Sequence, residues 1–192
     1  MKITEWSKIY KKKNQINIWP WSKLIQFIKR NNLTIKNKKV LEVGFGTGNN
    51  IPFFLHEKLN YFGIEQSNEA FNIVKRKYNK KKVVLFNDNI LNFNSKKKFD
   101  LIIDRGTFSC NDNDQQKNII KQYFSLLKKN GHICFIDIFK LIPKNSKLTK
   151  YTFPINNALI KYLKNLKVID YEEVLTKSKN QKIETINLLI KN

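Results

Sequence analysis

The feature that most constrains this chain is a glycine-rich loop directly after a short apolar run. Residues 39–43 read as a buried strand, glycine stands at positions 44, 46 and 48, and a helix-like segment begins at Asn50. Glycine permits positive φ and lacks the Cβ atom that would hold a ligand away from the backbone. The helix after the loop presents free N–H groups at its start. This order of strand, turn and helix predicts a nucleotide-like cofactor site at the first β-to-α crossover.

The spacing of the glycines does not fit the dinucleotide fingerprint. That fingerprint, G-x-G-x-x-G/A, needs a small residue where this chain has Asn49 or Ile51. Residues 42–48 instead read E-x-G-x-G-x-G, which resembles the first motif of the class I methyltransferases that depend on S-adenosyl-L-methionine (SAM). The resemblance implies that Gly44, Gly46 and Gly48 pass beside the methionine part of SAM. It also implies S-adenosyl-L-homocysteine (SAH) as the product and no metal.

Strand and helix patterns alternate after the loop. The expected strands are 39–43, 61–65, 83–86, 99–104 and 132–138, and the expected helices between them are 50–57, 68–78 and 114–128. Asn130-Gly131 is expected to end the last of these helices. Two β-rich runs, 168–175 and 183–190, are separated by too few residues for a helical crossover and should pair antiparallel.

These patterns predict an α/β fold. We expect a single Rossmann-like methyltransferase domain over residues 1–192, with a mostly parallel seven-stranded sheet, a C-terminal antiparallel hairpin and helices on both faces. Within it, residues 1–32 form a helical lid segment, with a helix from Trp21 to about Asn31, and residues 39–138 the SAM-binding core. Residues 139–165 form an acceptor-side linker and helix, and 166–192 the strand pair.

Acidic and amide residues follow the strands at the edge where ligands of open α/β sheets bind. Glu65 ends the second strand, where a carboxylate can accept both ribose hydroxyl protons, and Gln66 can flank the adenine. Asp88 and Asn89 follow the third strand and resemble the family's third motif, which contacts the adenine. Glu42 lies inside the first strand, where a buried carboxylate needs partners; the resemblance implies that it holds the methionine ammonium group.

The fourth strand ends in Asp104-Arg105-Gly106, which resembles the fourth motif of thiopurine-methyltransferase-like small-molecule enzymes. Asp104 is expected beside the transferred methyl group and is our candidate general base, with a role in binding the methionine end of SAM as the alternative. Arg105 is expected to pair with an anionic acceptor, with a structural ion pair as the alternative. An Asn/Asp-Pro-Pro-aromatic motif is absent from the sequence, which argues against N-methylation of nucleic-acid bases.

Aromatic residues near the N-terminus supply a candidate lid. Trp19-Pro20-Trp21-Ser22 and the segment around Tyr10 resemble small stand-alone bacterial methyltransferases found among surface-polysaccharide genes. The alternative for these aromatics is a place in the core. The residues expected at the acceptor or lid are Tyr10, Trp19, Trp21, Phe108 and Tyr151.

Charge and composition limit the possible partners. The net charge is +22, yet only three of the 37 basic residues are Arg, the better residue for bidentate phosphate recognition. The Lys, Asn and Ile content is also what an AT-rich coding bias produces, so a nucleic-acid partner is disfavoured. Two cysteines and two distant histidines offer neither a disulfide framework nor metal-ligand spacing. Without a transmembrane run or signal peptide, we expect a cytoplasmic protein.

The sequence therefore predicts a SAM-dependent methyltransferase acting on a small, anionic acceptor. O-methylation of a carbohydrate or phosphate-type precursor of a cell-surface glycan fits the charge and the resemblance. The alternatives are an RNA methyltransferase and, in another class, a non-catalytic SAM- or RNA-binding module.

Overall fold

A computed structural model describes residues 3–12, 16, 18–78, 83–144, 146, 148, 152–178 and 181–192. The predicted residue Tyr151 lies outside the described residues. The elements in chain order are α1 (Ile3–Lys11), α2 (Ser22–Arg30), β1 (Lys39–Val43), α3 (Ile51–His56), β2 (Asn60–Ile64), α4 (Asn68–Lys77), β3 (Val83–Phe86), β4 (Phe99–Arg105), a 3-10 turn (Phe108–Cys110), α5 (Asn113–Leu126), β5 (Leu127–Leu141), α6 (Asn157–Lys164), β6 (Val168–Ser178) and β7 (Gln181–Lys191).

The seven strands form one sheet in the order β3-β2-β1-β4-β5-β7-β6. Strands β1 to β5 are parallel, whereas β7 pairs antiparallel with both β5 and β6. The mostly parallel sheet with a C-terminal antiparallel hairpin is thus confirmed. The strand order reverses between β1 and β4, and such a reversal creates a crevice at the carboxyl ends of the strands.

Two apolar layers enclose the sheet because side chains alternate between its faces. On one face α2, α3 and α4 cover β1 and β2, for example Phe27 and Phe54 against Val40. On the other face α5 and α6 cover the sheet, with Tyr123 packed near Ile102. Helices on both faces confirm the predicted architecture and leave the carboxyl edge of the parallel strands as the place for a site.

Several element boundaries differ from the prediction. Helix α1 lies within the predicted helical segment 1–32, although only the helix from Trp21 was given bounds, and Glu65 follows β2 rather than ending it. Helix α5 ends at Leu126, not near Gly131, because Leu127 is already extended and pairs with Phe99 of β4. Asn130 supplies the left-handed residue (φ 62°) in an irregular stretch of β5, so the expected Asn-Gly helix end was wrong.

Within the described residues, no helix is both long enough and apolar enough to cross a bilayer.

Candidate active site

The glycine loop has the backbone conformation that its sequence predicts. Gly44, Gly46 and Gly48 have φ of 70°, 54° and 72°, a region that side chains with a Cβ rarely adopt. The Gly44 N–H donates to the carbonyl of Ile64 at 2.8 Å, which joins the loop to the end of β2. A Cβ at Gly44 would lie 2.0 Å from Thr107 Oγ1. The loop therefore requires glycine for its backbone and for the approach of a neighbouring element.

Glu65 lies just after β2 and holds the glycine loop against that strand. Its two carboxylate oxygens accept from the N–H groups of Gly46 at 2.9 Å and Ser67 at 2.8 Å. The residue is 6% exposed, and burial raises the pKa of its carboxyl group. A carboxylate has about four acceptor positions. The backbone N–H groups of Gly46, Ser67 and Gln66 use at most three of them, so Glu65 can still accept a hydrogen bond from a ligand in the crevice.

Glu42 is a second buried carboxylate, on the opposite side of the loop. Its oxygens accept from the Asn50 amide and the Tyr61 hydroxyl, both at 2.7 Å. Burial raises its pKa to about 7, against the lowering effect of these two hydrogen bonds. The Asn50 amide oxygen in turn accepts from the Trp21 N–H at 2.9 Å, so this cluster joins β1 to the start of α2.

Amide and acidic groups follow β2 and β3 at the same edge. The Asn89 amide donates to the Gln66 side chain at 3.3 Å, and the Asn89 N–H donates to the Asp88 carboxylate at 2.7 Å. The Asn87 amide donates to the Glu65 carbonyl at 2.8 Å. These contacts place the two polar turns side by side at the edge of the sheet.

One cavity of about 290 Å³ lies at the carboxyl ends of the parallel strands. The predicted site residues that line it are Tyr10, Glu42, Gly44, Gly46, Glu65, Gln66, Asp88, Asn89 and Arg105. Gly48 does not line it; a Cβ there would meet Ile51 and Val74 side chains at 2.9 and 3.0 Å. The structure therefore brings most of the predicted cofactor residues together around a single space.

Asp104 is not placed where the sequence led us to expect it. It is 1% exposed and is not among the residues lining the cavity. Its carboxylate accepts a hydrogen bond from the Tyr123 hydroxyl, and its two oxygens lie 2.9 and 3.1 Å from the Phe108 backbone nitrogen, which donates to them. Burial raises the pKa of Asp104 to about 6. Alternation along β4 turns Ile102 and Asp104 toward α5, so Asp104 faces the core rather than an acceptor.

Three of the expected acceptor or lid residues also lie elsewhere. Phe108 is 1% exposed and packs edge-on against Phe135 in the core. The Trp19 side chain is 78% exposed, and the contact of this residue with the loop is made by its carbonyl, which accepts from the Asn49 amide. Trp21 is half-buried and is not in the cavity lining; its ring stacks on the Arg105 guanidinium instead.

Tyr10 does reach the cavity, from helix α1. A Cβ at Gly46 would lie 2.9 Å from its hydroxyl oxygen, so Tyr10 occupies the space in front of the glycine loop. Burial raises the pKa of this hydroxyl well above its usual value. Trp6 stacks on Tyr10 and lines the same space, although only Tyr10 was predicted.

Arg105 and Asp137 form the charged part of the cavity on the side of β4 and β5. The Arg105 Cζ atom lies 3.8 Å from the Trp21 ring centroid, and its Nε lies 3.7 Å from Asp137 Oδ2. Among the described residues, Nε has no hydrogen-bond partner. Burial lowers the pKa of Arg105. Asp137 was not predicted, since nothing in an apolar strand run marks one acid as facing a ligand.

Cys110 and Asn111 also line the cavity, after the 3-10 turn. Burial raises the pKa of the Cys110 thiol to about 12, so the protonated thiol is the favoured form. The described part of the chain contains no cluster of three or more His, Cys, Asp or Glu side chains suited to a metal ion.

Comparison with known proteins agrees with this geometry. A family model described as a methyltransferase domain matches residues 40–131. A search of curated protein sequences found no match to this chain.

Three solved structures illustrate the likeness in fold. TehB from Haemophilus influenzae superposes with a TM-score of 0.74 at 16% identity, covering 97% of this chain and 67% of TehB. The N-methyltransferase NodS from Bradyrhizobium japonicum, in complex with SAH, superposes with a TM-score of 0.71 at 14% identity, covering 89% of this chain and 86% of NodS. A SAM-dependent methyltransferase from Clostridium acetobutylicum superposes with a TM-score of 0.64 at 19% identity, covering 98% of each chain. The fold is that of Rossmann-like methyltransferases, and the match to the methyltransferase-domain model covers just under half of the chain.

Proposed function

We propose that this protein is a SAM-dependent methyltransferase that transfers a methyl group to a small, anionic acceptor. The observation that carries the proposal is the convergence of the glycine loop, Glu42, Glu65 and Asp88 on one cavity at the switch point of the sheet. NodS, which shares the fold, was crystallised with SAH.

The residues around the cavity suit the parts of SAM. Glu65 has acceptor positions for the ribose hydroxyls, and Asp88 and Asn89 form the rim for the adenine. Glu42 supplies a buried carboxylate for the methionine amino group, and the positive-φ glycines allow close approach to the backbone. SAM supplies an activated methyl group on a sulfonium sulfur. What the protein must add is alignment of the acceptor and exclusion of water.

The proposed anionic acceptor rests on Arg105. Its side chain lines the cavity, and its guanidinium lies over the Trp21 ring, with Cζ 3.8 Å from the ring centroid. Lys23 adds a second cation near the same place, with its Nζ 3.9 Å from Asp137. A carboxylate or phosphate on the acceptor would receive charge-assisted hydrogen bonds there. Transfer to oxygen, and a precursor of a surface glycan as acceptor, are narrower proposals supported by the resemblance of the Trp-Pro-Trp-Ser segment.

A labelling experiment separates this proposal from its rivals. The protein is incubated with methyl-tritiated SAM and either a small-metabolite extract of its native cells or total RNA from those cells. We expect label in the small-metabolite fraction and none in RNA. Label in RNA, with binding that weakens steeply as salt rises, would establish the RNA methyltransferase instead. SAH binding in calorimetry with no methyl transfer to either pool would establish a non-catalytic binding module.

A further inference from the structure

A β-bulge in β5 places one acidic residue in an unusual backbone conformation at the cavity. Phe135 pairs with Leu188 and Ile138 with Ile186, so β5 has one more residue than β7 between these pairs. Within this bulge Asp137 has φ of 58°, which is rare for a residue with a Cβ. Bulges near active sites redirect a side chain, and strained residues persist where the surrounding structure holds them. The conformation of Asp137 therefore points to a function for its side chain.

Two buried side chains hold this bulge in place. The Asp137 N–H donates to the Asn187 Oδ1 at 3.0 Å, and the Ser109 hydroxyl donates to the Asp137 carbonyl at 3.4 Å. Both Asn187 and Ser109 are 1% exposed. Asn187 is fixed in turn because its amide donates to Glu172 at 2.9 Å. The backbone N–H and carbonyl groups of Asp137 are thus satisfied, and the backbone that carries its side chain is held in place.

The Asp137 carboxylate is open to a ligand, unlike that of Asp104. It lines the cavity, and its side chain is 14% exposed. Arg105 Nε and Lys23 Nζ flank it at 3.7 and 3.9 Å, which is longer than a hydrogen bond. In the described part of the chain no side chain donates a hydrogen bond to these oxygens. Asp104, in contrast, accepts from Tyr123 and Phe108 in the core.

We propose that Asp137 is the general base for the acceptor of the methyltransferase proposed above, on which this inference rests. The acceptor hydroxyl donates its hydrogen bond to the Asp137 carboxylate. As the acceptor oxygen bonds to the methyl carbon, the carbon–sulfur bond breaks and its electron pair remains on sulfur. The hydroxyl proton moves to Asp137 and then to solvent. Arg105 and Lys23 bind an anionic group on the same molecule, so the acceptor class is a hydroxyl compound bearing a nearby carboxylate or phosphate.

The test replaces the carboxylate without disturbing the bulge. Asp137→Asn keeps the size of the side chain, and Asn tolerates positive φ. In the tritium assay with the small-metabolite extract, we expect its transfer rate to fall about 100-fold or more, the range for loss of a general base. SAH affinity in calorimetry and the melting temperature should match those of the wild type. Asp137→Gly, which has no strain at this φ, should show the same loss of transfer with SAH binding retained.

Asp170→Asn is the matched control. Asp170 also pairs with an arginine, Arg30 at 2.8 Å, and lies at another irregularity of the sheet, but it does not line the cavity. Its transfer rate should equal that of the wild type. Asp137→Asn with a wild-type transfer rate would overturn the proposal. So would parallel loss of SAH binding and transfer in both Asp137 variants, which indicates a structural role. If the wild type labels no small molecule, the proposed function itself fails.

Discussion

Glu42 should make cofactor binding release protons. The two polar groups around it, Asn50 and Tyr61, do not offset the effect of burial, so the free protein has a Glu42 pKa of about 7. Under the proposed function the amino group of SAM or SAH binds at this carboxylate. A cation beside a carboxylate favours its ionised form and lowers its pKa. Binding of the cofactor should therefore drive a proton from Glu42 into solvent.

The size of the effect follows from the two pKa values. If binding returns the pKa of Glu42 from about 7 to its ordinary value of 4.5, the protein releases about 0.9 proton for each SAH bound at pH 6, about 0.5 at pH 7 and about 0.1 at pH 8. The same linkage makes SAH bind about tenfold more weakly at pH 6 than at pH 8, because protonated Glu42 must first lose its proton.

Calorimetry measures this release directly. SAH is titrated at each pH in buffers of different ionisation enthalpy, and the slope of observed heat against buffer enthalpy is the number of protons released. Glu42→Gln is the control, since it removes the titrating group but leaves Glu65 and Asp104, the other two buried carboxylates whose pKa is raised. The difference between the two proteins in the number of protons released is the contribution of Glu42. Equal release by both, or none by the wild type at pH 6, would refute the assignment of Glu42 to the amino group.

A stability measurement on Glu42→Gln and two other variants test the site further. At pH 8 the free energy of unfolding of Glu42→Gln, measured with urea, should exceed that of the wild type by up to about 3 kcal/mol. The raised pKa of the Glu42 carboxyl stabilises the wild-type fold below pH 4.5, and this stability is lost as pH rises through about 7. A difference between the two proteins that grows toward pH 5 would contradict this. Glu65→Gln puts an amide N–H₂ group opposite the backbone N–H of Gly46 or Ser67, and both of these groups are donors. The affinity for SAH, measured by calorimetry, should therefore fall about 100-fold. Unchanged affinity would show that Glu65 is not part of the site. Gly44→Ala places a Cβ 2.0 Å from Thr107 Oγ1 at a φ of 70°, and should lose at least about 2 kcal/mol of unfolding free energy; wild-type stability would show that the loop is not held as described.

The residues proposed to bind the cofactor could be located from the sequence because most of them stand at the ends of strands. Gly44 and Gly46 follow β1, Glu65 follows β2, and Asp88 follows β3, and in a parallel sheet these ends meet at one edge. The strand positions and the spacing of the loop were enough to bring these residues together, whereas their roles toward SAM rest on the resemblance to class I methyltransferases. The fold was predictable for the same reason, since short apolar strands and helices alternate through most of the chain.

The acceptor half could not be predicted, because it depends on which face each residue takes. Strand β4 is apolar on both faces, so its pattern does not show that Asp104 points to α5 and Arg105 to the cavity. The bulge in β5 is equally hidden, since its partner Asn187 is 50 residues away in the sequence. Helix α1 brings Trp6 and Tyr10 to the glycine loop by tertiary contacts that no local pattern records.

Under the proposed function, the groups for the cofactor and those for the acceptor lie on different strands. The groups proposed for the cofactor lie on or just after β1, β2 and β3. Of the groups proposed for the acceptor, Arg105 ends β4 and Asp137 lies in the bulge of the adjacent strand β5. Arg105 pairs in register with Ile136, so the residue beside it on β5 is part of the bulge. The presence, length or register of that bulge decides which side chain stands next to Arg105. A change there would alter the acceptor without moving the glycine loop, which is held to β2 by Glu65 and by the Gly44 N–H.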